Sequence, residues 1–433
     1  MWKTKESKWK KLDNAAKIFP ALAGREDAEV FRLTCQLKEE IDQAKLQQAV
    51  DAAVEEYPSF TQVVRRGVFW YYLEDTLMKP KVYEESKTPL QPLYKQGNRL
   101  LIDITYYRRR INFEIFHALA DGTGAFVFFQ TIIVNYLKLT HPEELGSVVI
   151  ENYDHTERQV ESDGFTQYYE PDKGNPTDFK EFLGKKQKNG KIYQFRERKT
   201  ADYRQHLTEG LMSAAKIKAA AKAEGATITE FVCAVLILAI YDNMEPKERR
   251  KKVTIAIPVN LRNYFDSSTL RNFFGMIHVT YDFSSQREHT LENVIIAVRE
   301  EFERELTHEN MKQKIASQVK MELHPIVRIC PLVLKDLVVI LMQTESMKRR
   351  TIALSNVGKI SIQKEFSGYI EHFGVFNSSS SRQMCLSTFG DNMIINFSGV
   401  LAEHDVERSF YRRMAQFDEE LTVSASYSPK EHE

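Results

Sequence analysis

The chain has 433 residues, of which 42% are hydrophobic and 28% are charged, a composition typical of globular proteins and long enough for two or three domains. The 60 Lys and Arg side chains balance the 60 Asp and Glu side chains, so the net charge favours no polyanionic partner. No basic stripe interleaved with aromatic residues occurs, and we therefore expect no nucleic-acid partner.

The N-terminal twenty residues are basic but lack the apolar run of a secretory signal. Of the two most apolar windows, residues 231–241 are too short to span a bilayer, and residues 332–342 are interrupted by Lys335 and Asp336. We expect the apolar helix near residues 325–343 to pack into a core, without membrane contact. The four cysteines are scattered without a CxxC pair, which indicates buried reduced thiols. Together these features predict a cytoplasmic protein.

In the first part of the chain, the helical spacing of apolar residues from Ile41 to Val54 predicts an amphipathic helix in the segment 40–58, which ends at Pro58. Two strand-like segments follow, and the second indicates a hairpin that turns near Arg108–Arg110, with INFEIF as its inner strand. The apolar run after Gly122 predicts a buried helix, for which Thr123 is the candidate N-cap.

Residues 140–200 are polar and punctuated by Gly and Pro, which indicates a long connection or a domain boundary. A helix that stops at Gly225, a second and buried helix, two strands, a mostly helical stretch and four more strands are predicted to follow. Because both halves mix helices with strands, we predict an α/β fold of two sandwich lobes. We place the N-terminal lobe at residues 1–190 and the C-terminal lobe at residues 191–433.

The stretch HALADG places His117, Asp121 and Gly122 between an apolar strand and an apolar helix. The charged Asp121 needs a partner there, since burial of an unpaired carboxylate is costly. Gly122 and Gly124 permit unusual backbone angles and the close approach of another molecule. A histidine at this place can present one ring nitrogen to a cleft while a backbone carbonyl holds the other. The structural alternative is a hydrogen-bonded histidine beside an N-capping aspartate.

HALADG resembles the HxxxDG signature of the coenzyme-A-dependent acyltransferase superfamily. This group includes chloramphenicol acetyltransferase, plant BAHD acyltransferases, bacterial alcohol acetyltransferases and the condensation domains of peptide synthetases. Phe116, rather than a second histidine, precedes His117, which is similar to the single-histidine acetyltransferases. The opening LDNAAKIFP resembles the alcohol acetyltransferase branch in particular.

The resemblance covers most of the chain. Residues 257–275, IPVNLRNYF through LRNFFG, resemble the family's strand that ends in an arginine and the turn that follows it. LSNVGKI at 354–360 resembles the strand that crosses between the lobes, and we assign it to the C-terminal lobe. EHFGVFN at 371–377 stands at the place of the DFGWG motif of plant enzymes but lacks its Trp and its leading Asp. The resemblance implies two chloramphenicol-acetyltransferase-like sandwich lobes, with mixed sheets flanked by helices and a channel between the lobes.

The resemblance also implies roles for individual residues. Acyl transfer from a thioester needs an acceptor that loses its proton as it attacks, and an imidazole suits this task, so His117 is the expected general base. Asp121 is expected to be structural, bonded to Arg262 after the arginine-ending strand; the alternative for Arg262 is a solvated strand end. The analogy points to Ser355 or Asn356 as donor to the oxyanion, although either could be a buried, hydrogen-bonded polar residue.

We therefore expect an acyltransferase that moves an acyl group, expected to be acetyl, from acyl-CoA to a small-molecule alcohol or amine. Acyl-CoA would be a co-substrate, and no permanently bound metal or redox cofactor is implied. One alternative is a condensation-type enzyme that uses a carrier-protein thioester, and another is a non-catalytic binding homologue. The i, i+4 spacing of His117 and Asp121 would suit a metal pair only on a helix, and a serine hydrolase would need a GxSxG motif that the sequence lacks.

Overall fold

The computed structural model describes residues 9–94, 99–150, 162–170, 191–284 and 288–426. Within these residues the strands form three sheets. The strands are β1 (Trp9–Lys11), β2 (Val30–Leu37), β3 (Val63–Arg66), β4 (Tyr71–Glu74), β5 (Val82–Glu84), β6 (Ile102–Tyr107), β7 (Arg110–Phe116), β8 (His206–Ser213), β9 (Lys252–Asn260), β10 (Phe274–Asp282), β11 (Ile352–Lys359), β12 (Ile370–Asn377), β13 (Arg382–Phe389), β14 (Asn392–Gly399) and β15 (Thr422–Ala425).

Most of the longer helices flank these sheets. The α-helices are α1 (Phe19–Leu22), α2 (Gln43–Glu56), α3 (Gly122–Thr140), α4 (Pro142–Leu145), α5 (Gly164–Gln167), α6 (Ala214–Ala223), α7 (Ile228–Asp242), α8 (Leu291–Glu305), α9 (His308–Leu323), α10 (Pro325–Ile329), α11 (Leu332–Met347), α12 (Lys364–Ser367) and α13 (Asp405–Met414). Short 3-10 helices cover Ala15–Lys17, Pro58–Thr61, Ala201–Tyr203 and Leu261–Asn263.

A five-stranded sheet carries the strand that leads into the candidate site. Its order is β12-β2-β7-β6-β5, and β7 lies at its centre, antiparallel to both β2 and β6. Six of the seven residues of β7 are buried, because helices α2 and α3 pack beside this sheet and contribute to the same core. The predicted hairpin is confirmed, since β6 and β7 are joined at Arg108, whose φ is 49°.

A seven-stranded mixed sheet forms the second core. Its order is β10-β9-β11-β13-β14-β8-β15, with β11 parallel to both β9 and β13. The buried helix α7 packs against α8 and α13, and ten consecutive residues from Phe231 to Ile240 are buried. Mixed sheets with flanking helices confirm the predicted α/β class.

Several predicted elements are confirmed. The first amphipathic helix is α2, capped by the Asp42 side chain. The helix that stops at Gly225 is α6, and Thr227 caps α7 with a reciprocal capping box. The Gly-Asp turn joins β13 to β14, with Gly390 at φ 59°.

Two statements about the lobes need revision. The strand expected to cross between them, β11, pairs only within the seven-stranded sheet, and its neighbours are β9 and β13. It is β12 that joins the sheet of the first half, antiparallel to β2. The division at residues 190 and 191 falls at the edge of 171–190, which lie outside the described residues, and it stays a prediction.

Helix α11 was expected to pack into a core, and this is wrong. Among its 16 residues only Leu332 is buried. Three of the four cysteines are buried and all four are free, as expected, but Cys330 before this helix is half-buried. No single helix within the described ranges combines the length and apolarity needed to cross a bilayer; the bent pair Ala214–Ala223 and Ile228–Asp242, at 83°, meets that criterion jointly.

Candidate active site

His117 lies immediately after β7, at the point where the chain leaves the five-stranded sheet. Its backbone N–H donates to the carbonyl of Glu29, which fixes the chain exit beside the start of β2. Four residues later Asp121 caps α3, and its Oδ1 accepts from the N–H of Gly124 at 3.1 Å. The loop is therefore held by the sheet on one side and by a helix N-terminus on the other.

Three aromatic rings surround the imidazole of His117. Phe19 of α1 stacks on it with ring centroids 4.5 Å apart, Phe31 of β2 meets it edge-on at 5.0 Å, and Phe274 of β10 lies at 5.6 Å. This apolar setting lowers the pKa of His117 from its ordinary value of 6.5, against the opposing effects of its own carbonyl, the charge of Asp121 and the hydrogen bond with Asn272. The imidazole is thus kept neutral at neutral pH.

Asn272 fixes which ring nitrogen of His117 carries the proton. Its Nδ2 donates to the backbone carbonyl of His117 at 3.0 Å, and its Oδ1 lies 2.9 Å from Nδ1 of the same residue. A carbonyl can only accept, so Nδ2 must face it and Oδ1 must face the ring. Nδ1 therefore carries the hydrogen, and Nε2 keeps its lone pair.

Asp13 holds Asn272 from the opposite side. Its Oδ2 accepts from Nδ2 and from the backbone N–H of Asn272 at 3.1 and 3.3 Å, while Oδ1 accepts from the N–H of Ala16 at 2.7 Å. Burial raises the pKa of Asp13 to about 6, with the charge of Arg271 and these hydrogen bonds acting in the other direction. A line of contacts thus runs from the Asp13 carboxyl through the Asn272 amide to the imidazole.

The expected contact between Asp121 and Arg262 is present. Nη1 of Arg262 lies 2.7 Å from Oδ2 of Asp121, and Nη2 lies 3.3 Å from Oδ1, so the pair is bidentate. Both side chains are almost fully buried. Removal of one member would leave a buried charge without its partner.

This ion pair also places Asn272. Arg262 donates to the carbonyls of Thr269 and Arg271, and Oδ2 of Asp121 accepts from the backbone N–H of Phe273 at 2.9 Å. The segment 269–273 is therefore pinned on both sides of Asn272. The pair shapes the loop that carries His117 and the segment that orients its ring.

The two glycines of the loop differ in their surroundings. A Cβ added to Gly124 would lie 1.9 Å from the carbonyl oxygen of Leu270, whereas a Cβ on Gly122 would meet nothing within 4 Å. The close approach that was predicted thus occurs at Gly124 only, and the approaching group is another segment of the same chain.

Thr123 is not the N-cap of the helix after the motif. Asp121 takes that role, because its side chain reaches the N–H three residues on. The hydroxyl of Thr123 instead accepts from Nδ2 of Asn260 at 3.3 Å, a further contact between the loop and the end of β9.

Ser355 and Asn356 lie on β11, and neither is hydrogen-bonded to His117 within the described part of the chain. Nδ2 of Asn356 donates to the hydroxyl of Thr229, and its Oδ1 accepts from the N–H of Gly358, each at 2.8 Å. These contacts match the structural alternative for Asn356. Stabilisation of the oxyanion by either side chain stays a prediction.

Sequence reasoning did not identify Asp13 or Asn272 as site residues. Both lie in stretches whose residue pattern resembles the family, LDNAAKIFP and LRNFFG. That pattern was the available signal, although it does not reveal which residues are partners across 259 positions of the chain.

Comparisons with known proteins agree with this fold. Among solved structures, polyketide synthase associated protein 5 from Mycobacterium tuberculosis superposes with a TM-score of 0.59 at 13% identity, over 94% of this chain and 97% of that one. Trichothecene 15-O-acetyltransferase from Fusarium sporotrichioides gives 0.59 at 12% identity, over 94% and 95%. F. graminearum TRI101, solved with ethyl coenzyme A, gives 0.60 at 11% identity, over 96% and 99%.

Condensation domains share the fold as well, and the first condensation domain of the CDA synthetase gives a TM-score of 0.59 at 13% identity, over 96% of each chain. No curated protein sequence matches the chain. The sequence profile described as alcohol acetyltransferase matches residues 172–400, more than half of the chain. The chain belongs to the alcohol acetyltransferase family.

Proposed function

We propose that this protein transfers an acyl group, expected to be acetyl, from acyl-coenzyme A to a hydroxyl or amine of a small acceptor, with His117 as general base. The observation that carries the proposal is the hydrogen bond between Nδ1 of His117 and Oδ1 of Asn272. It leaves Nε2 unprotonated, and burial keeps the ring neutral at neutral pH. Family membership supplies the acyltransferase class, and a fold neighbour solved with ethyl coenzyme A favours a coenzyme A donor.

The proposed step balances as follows. Nε2 of His117 removes the proton of the acceptor as its oxygen or nitrogen forms a bond to the thioester carbonyl carbon. The tetrahedral intermediate then collapses, the carbon–sulfur bond breaks, and the proton on Nε2 passes to the coenzyme A thiolate. The ester or amide leaves and the imidazole returns to its starting state, so no further reactant is consumed.

The developing oxyanion needs a donor, for which Ser355 and Asn356 remain our candidates. One such donor supplies about 10²–10³-fold in rate in acyl-transfer enzymes. We assign Asp121 and Arg262 to the shape of the loop, because the ion pair is bound to backbone groups on both sides of Asn272. The predicted cytoplasmic location belongs to the same proposal.

A carrier-protein thioester is the second candidate donor. It is favoured by the similarity of this fold to condensation domains, which extends over 96% of both chains for the CDA synthetase domain. Comparison of kcat/KM for acetyl-CoA and for an acetylated carrier protein separates the two donors. A higher value for the carrier would make this chain a condensation-type enzyme.

The proposal is tested by release of coenzyme A from acetyl-CoA with a panel of alcohols and amines, with the product identified by mass spectrometry. His117→Ala should lose about 10²–10⁴-fold in rate while the protein still folds, since a general base contributes that much. Asp121→Asn should lose activity and also about 3–5 kcal/mol of stability, because Arg262 would be left buried without its partner.

His278→Ala is the matched control, because this half-buried histidine lies on β10 and contacts neither His117 nor Asp121 within the described residues. It should retain activity. A folded His117→Ala protein with full activity would contradict the general-base role. Wild-type protein that binds acetyl-CoA but forms no product with any acceptor would favour the non-catalytic alternative.

A further inference from the structure

Helix α11 is inverted relative to an ordinary surface helix. Its central charged residues, Lys335 and Asp336, point toward the protein, and most of its apolar residues face outward. An amphipathic helix of a globular protein normally shows the opposite arrangement, with the apolar stripe on the core. The outward face is therefore not explained by packing against the residues that the structure describes.

The hairpin of β3 and β4 anchors the charged side of the helix. Nζ of Lys335 donates to the carbonyl of Phe69 and lies 3.3 Å from the ring centroid of Trp70. The carboxylate of Asp336 accepts from the hydroxyl of Tyr71 at 2.9 Å and lies 3.5 Å from Arg66. These contacts determine the rotation of α11 about its axis, so its apolar exposure is a defined feature of the fold.

We call the exposed surface the apolar face and define it by Ile329, Val333, Leu334, Leu337, Ile340 and Leu341. Their exposed fractions run from 44% to 73%. The hairpin tip extends it, since Val68 is 73% exposed and its carbonyl accepts from the N–H of Leu332. Contiguous exposed apolar side chains of this extent mark sites of interaction with a protein or a membrane.

Charges around the apolar face select between these partners. Residues 320–350 contain six cations and three anions. Each anion lies within 4 Å of a cation, since Glu322 pairs with Lys17, Asp336 with Arg66, and Glu345 with Lys348. The surroundings are therefore net positive. Two copies meeting through this face would bring the same cations together, which is unfavourable, whereas an anionic surface is complementary.

We propose that the apolar face docks on a lipid bilayer that contains anionic lipids. The aliphatic side chains would enter the boundary between headgroups and acyl chains, and the exposed flanking cations Arg328, Lys348 and Arg349 would approach the lipid phosphates. This revises the expectation that the chain makes no membrane contact. The face also adjoins the candidate site, because α1, whose Phe19 stacks on His117, packs against α11.

Co-sedimentation with vesicles tests this docking. Wild-type protein should bind vesicles of phosphatidylcholine with about 30% phosphatidylglycerol more strongly than phosphatidylcholine alone, and high salt should reduce the difference. The triple variant Leu337→Ser, Ile340→Ser, Leu341→Ser should lose binding by about tenfold or more, because apolar insertion is removed. The matched control combines Ile296→Ser and Val423→Ser, two apolar residues that are 40% and 49% exposed elsewhere, and it should bind as wild type does.

A second measurement detects insertion directly. The fluorescence of Leu337→Trp should be quenched by brominated lipid, and that of Ile296→Trp should not. Wild-type protein that fails to bind either vesicle, or a triple variant that binds normally, would overturn the proposal. It would also be overturned by a wild-type dimer in analytical ultracentrifugation that the triple variant dissociates, with no vesicle binding by either. None of these results depends on acyltransferase activity.

Discussion

At the scale of the residue, the imidazole of His117 is hydrogen-bonded at one edge, through Nδ1, by groups among the described residues. Asn272 holds Nδ1, and Asp13 holds the Asn272 amide through both its side chain and its backbone N–H. The other edge of the ring faces away from these contacts, which is the arrangement that a general base requires. In the proposed mechanism Asn272 is a positioning residue, because it would act on the acceptor only through the ring that it orients.

Replacement of Asn272 by Ala should reduce kcat by about 10²-fold, the loss that follows from misplacement of a reacting group by about an ångström. The hydrogen bond with Asn272 raises the pKa of His117. Its loss should therefore lower that pKa, and the acid limb of the pH profile of kcat/KM should move to lower pH. Initial rates at several substrate concentrations, measured across a pH series, give both the change in kcat and the shift of the pH profile.

Asn396→Ala is the matched control for this substitution. Asn396 is equally buried, and its Nδ2 also donates to a backbone carbonyl, that of Val375, but it lies in the seven-stranded sheet. Both variants should lose comparable stability, and only Asn272→Ala should shift the pH profile. A shift in both variants would assign the effect to general loosening of the fold.

Site residues were predicted from the sequence where the family resemblance assigned them a position in the site. The contact of Asp121 with Arg262 followed from the motif and the end of β9, whereas the contacts of Asp13 and Asn272 did not. A polar residue in an apolar stretch signals that it has a partner, but sequence periodicity contains no information about a partner in another lobe. Thr123 was wrong as a cap, because the helix already begins at Gly122 and the Asp121 side chain accepts from the N–H of Gly124.

At the scale of the element, the start of α3 lies against the segment 269–273. The contact is backbone to backbone, since the Cα of Gly124 faces the carbonyl of Leu270 with no room for a side chain. This approach sets the distance between the loop that carries His117 and the segment that carries Asn272. The glycine is required by space, while its backbone angles are ordinary for a helix.

Gly124→Ala should therefore destabilise the protein by about 1–3 kcal/mol, the usual cost of overpacking a closed contact. Activity should fall as well, because the added methyl group would push the loop that carries His117 away from the segment that carries Asn272. Chemical denaturation and the coenzyme A release assay measure the two effects. Gly122→Ala is the control, since its added methyl group meets nothing within 4 Å, and equal losses in both variants would contradict the steric explanation.

Helices with a regular spacing of apolar residues were predicted well. Burial and strand pairing, which depend on residues distant in the sequence, were not. Spacing and caps located α2, α6 and α7, because helix signals lie within a few residues of each other. The apolar composition of α11 led to the prediction that it packs in a core. That prediction failed because composition does not determine which face of a helix packs against the protein. The crossing strand was misassigned to β11 for the same reason, because pairing partners of a strand are set by the whole sheet.

At the scale of the whole molecule, the candidate site is assembled from both halves of the chain. Asp13, His117 and Asp121 come from the first half, and Arg262 and Asn272 come from the second. Asn272 of the second half is bonded to His117 and Asp13 of the first half, and Arg262 is bonded to Asp121. The imidazole therefore gains its orientation only when the two halves are docked.

Expression of residues 1–190 and 191–433 as separate chains tests this dependence and the predicted boundary together. Neither fragment alone should release coenzyme A from acetyl-CoA in the presence of an acceptor. Co-expressed fragments should form a 1:1 complex with activity, which gel filtration and the same assay would show. An active 1–190 fragment would mean that Asn272 and Arg262 are dispensable.

The pairing of β12 with β2 has a consequence for how the chain must be handled. In a fragment that ends before residue 370, β2 would be the outermost strand of its sheet, with a row of backbone N–H and C=O groups open to pairing. Exposed apolar edges of this kind template aggregation. Nearly all residues of β2 are buried in the intact protein, so the strand presents no exposed charged side chain that would oppose edge-to-edge pairing. Because β12 is synthesised long after β2, we expect fragments that end before it to self-associate and the complete chain to be protected.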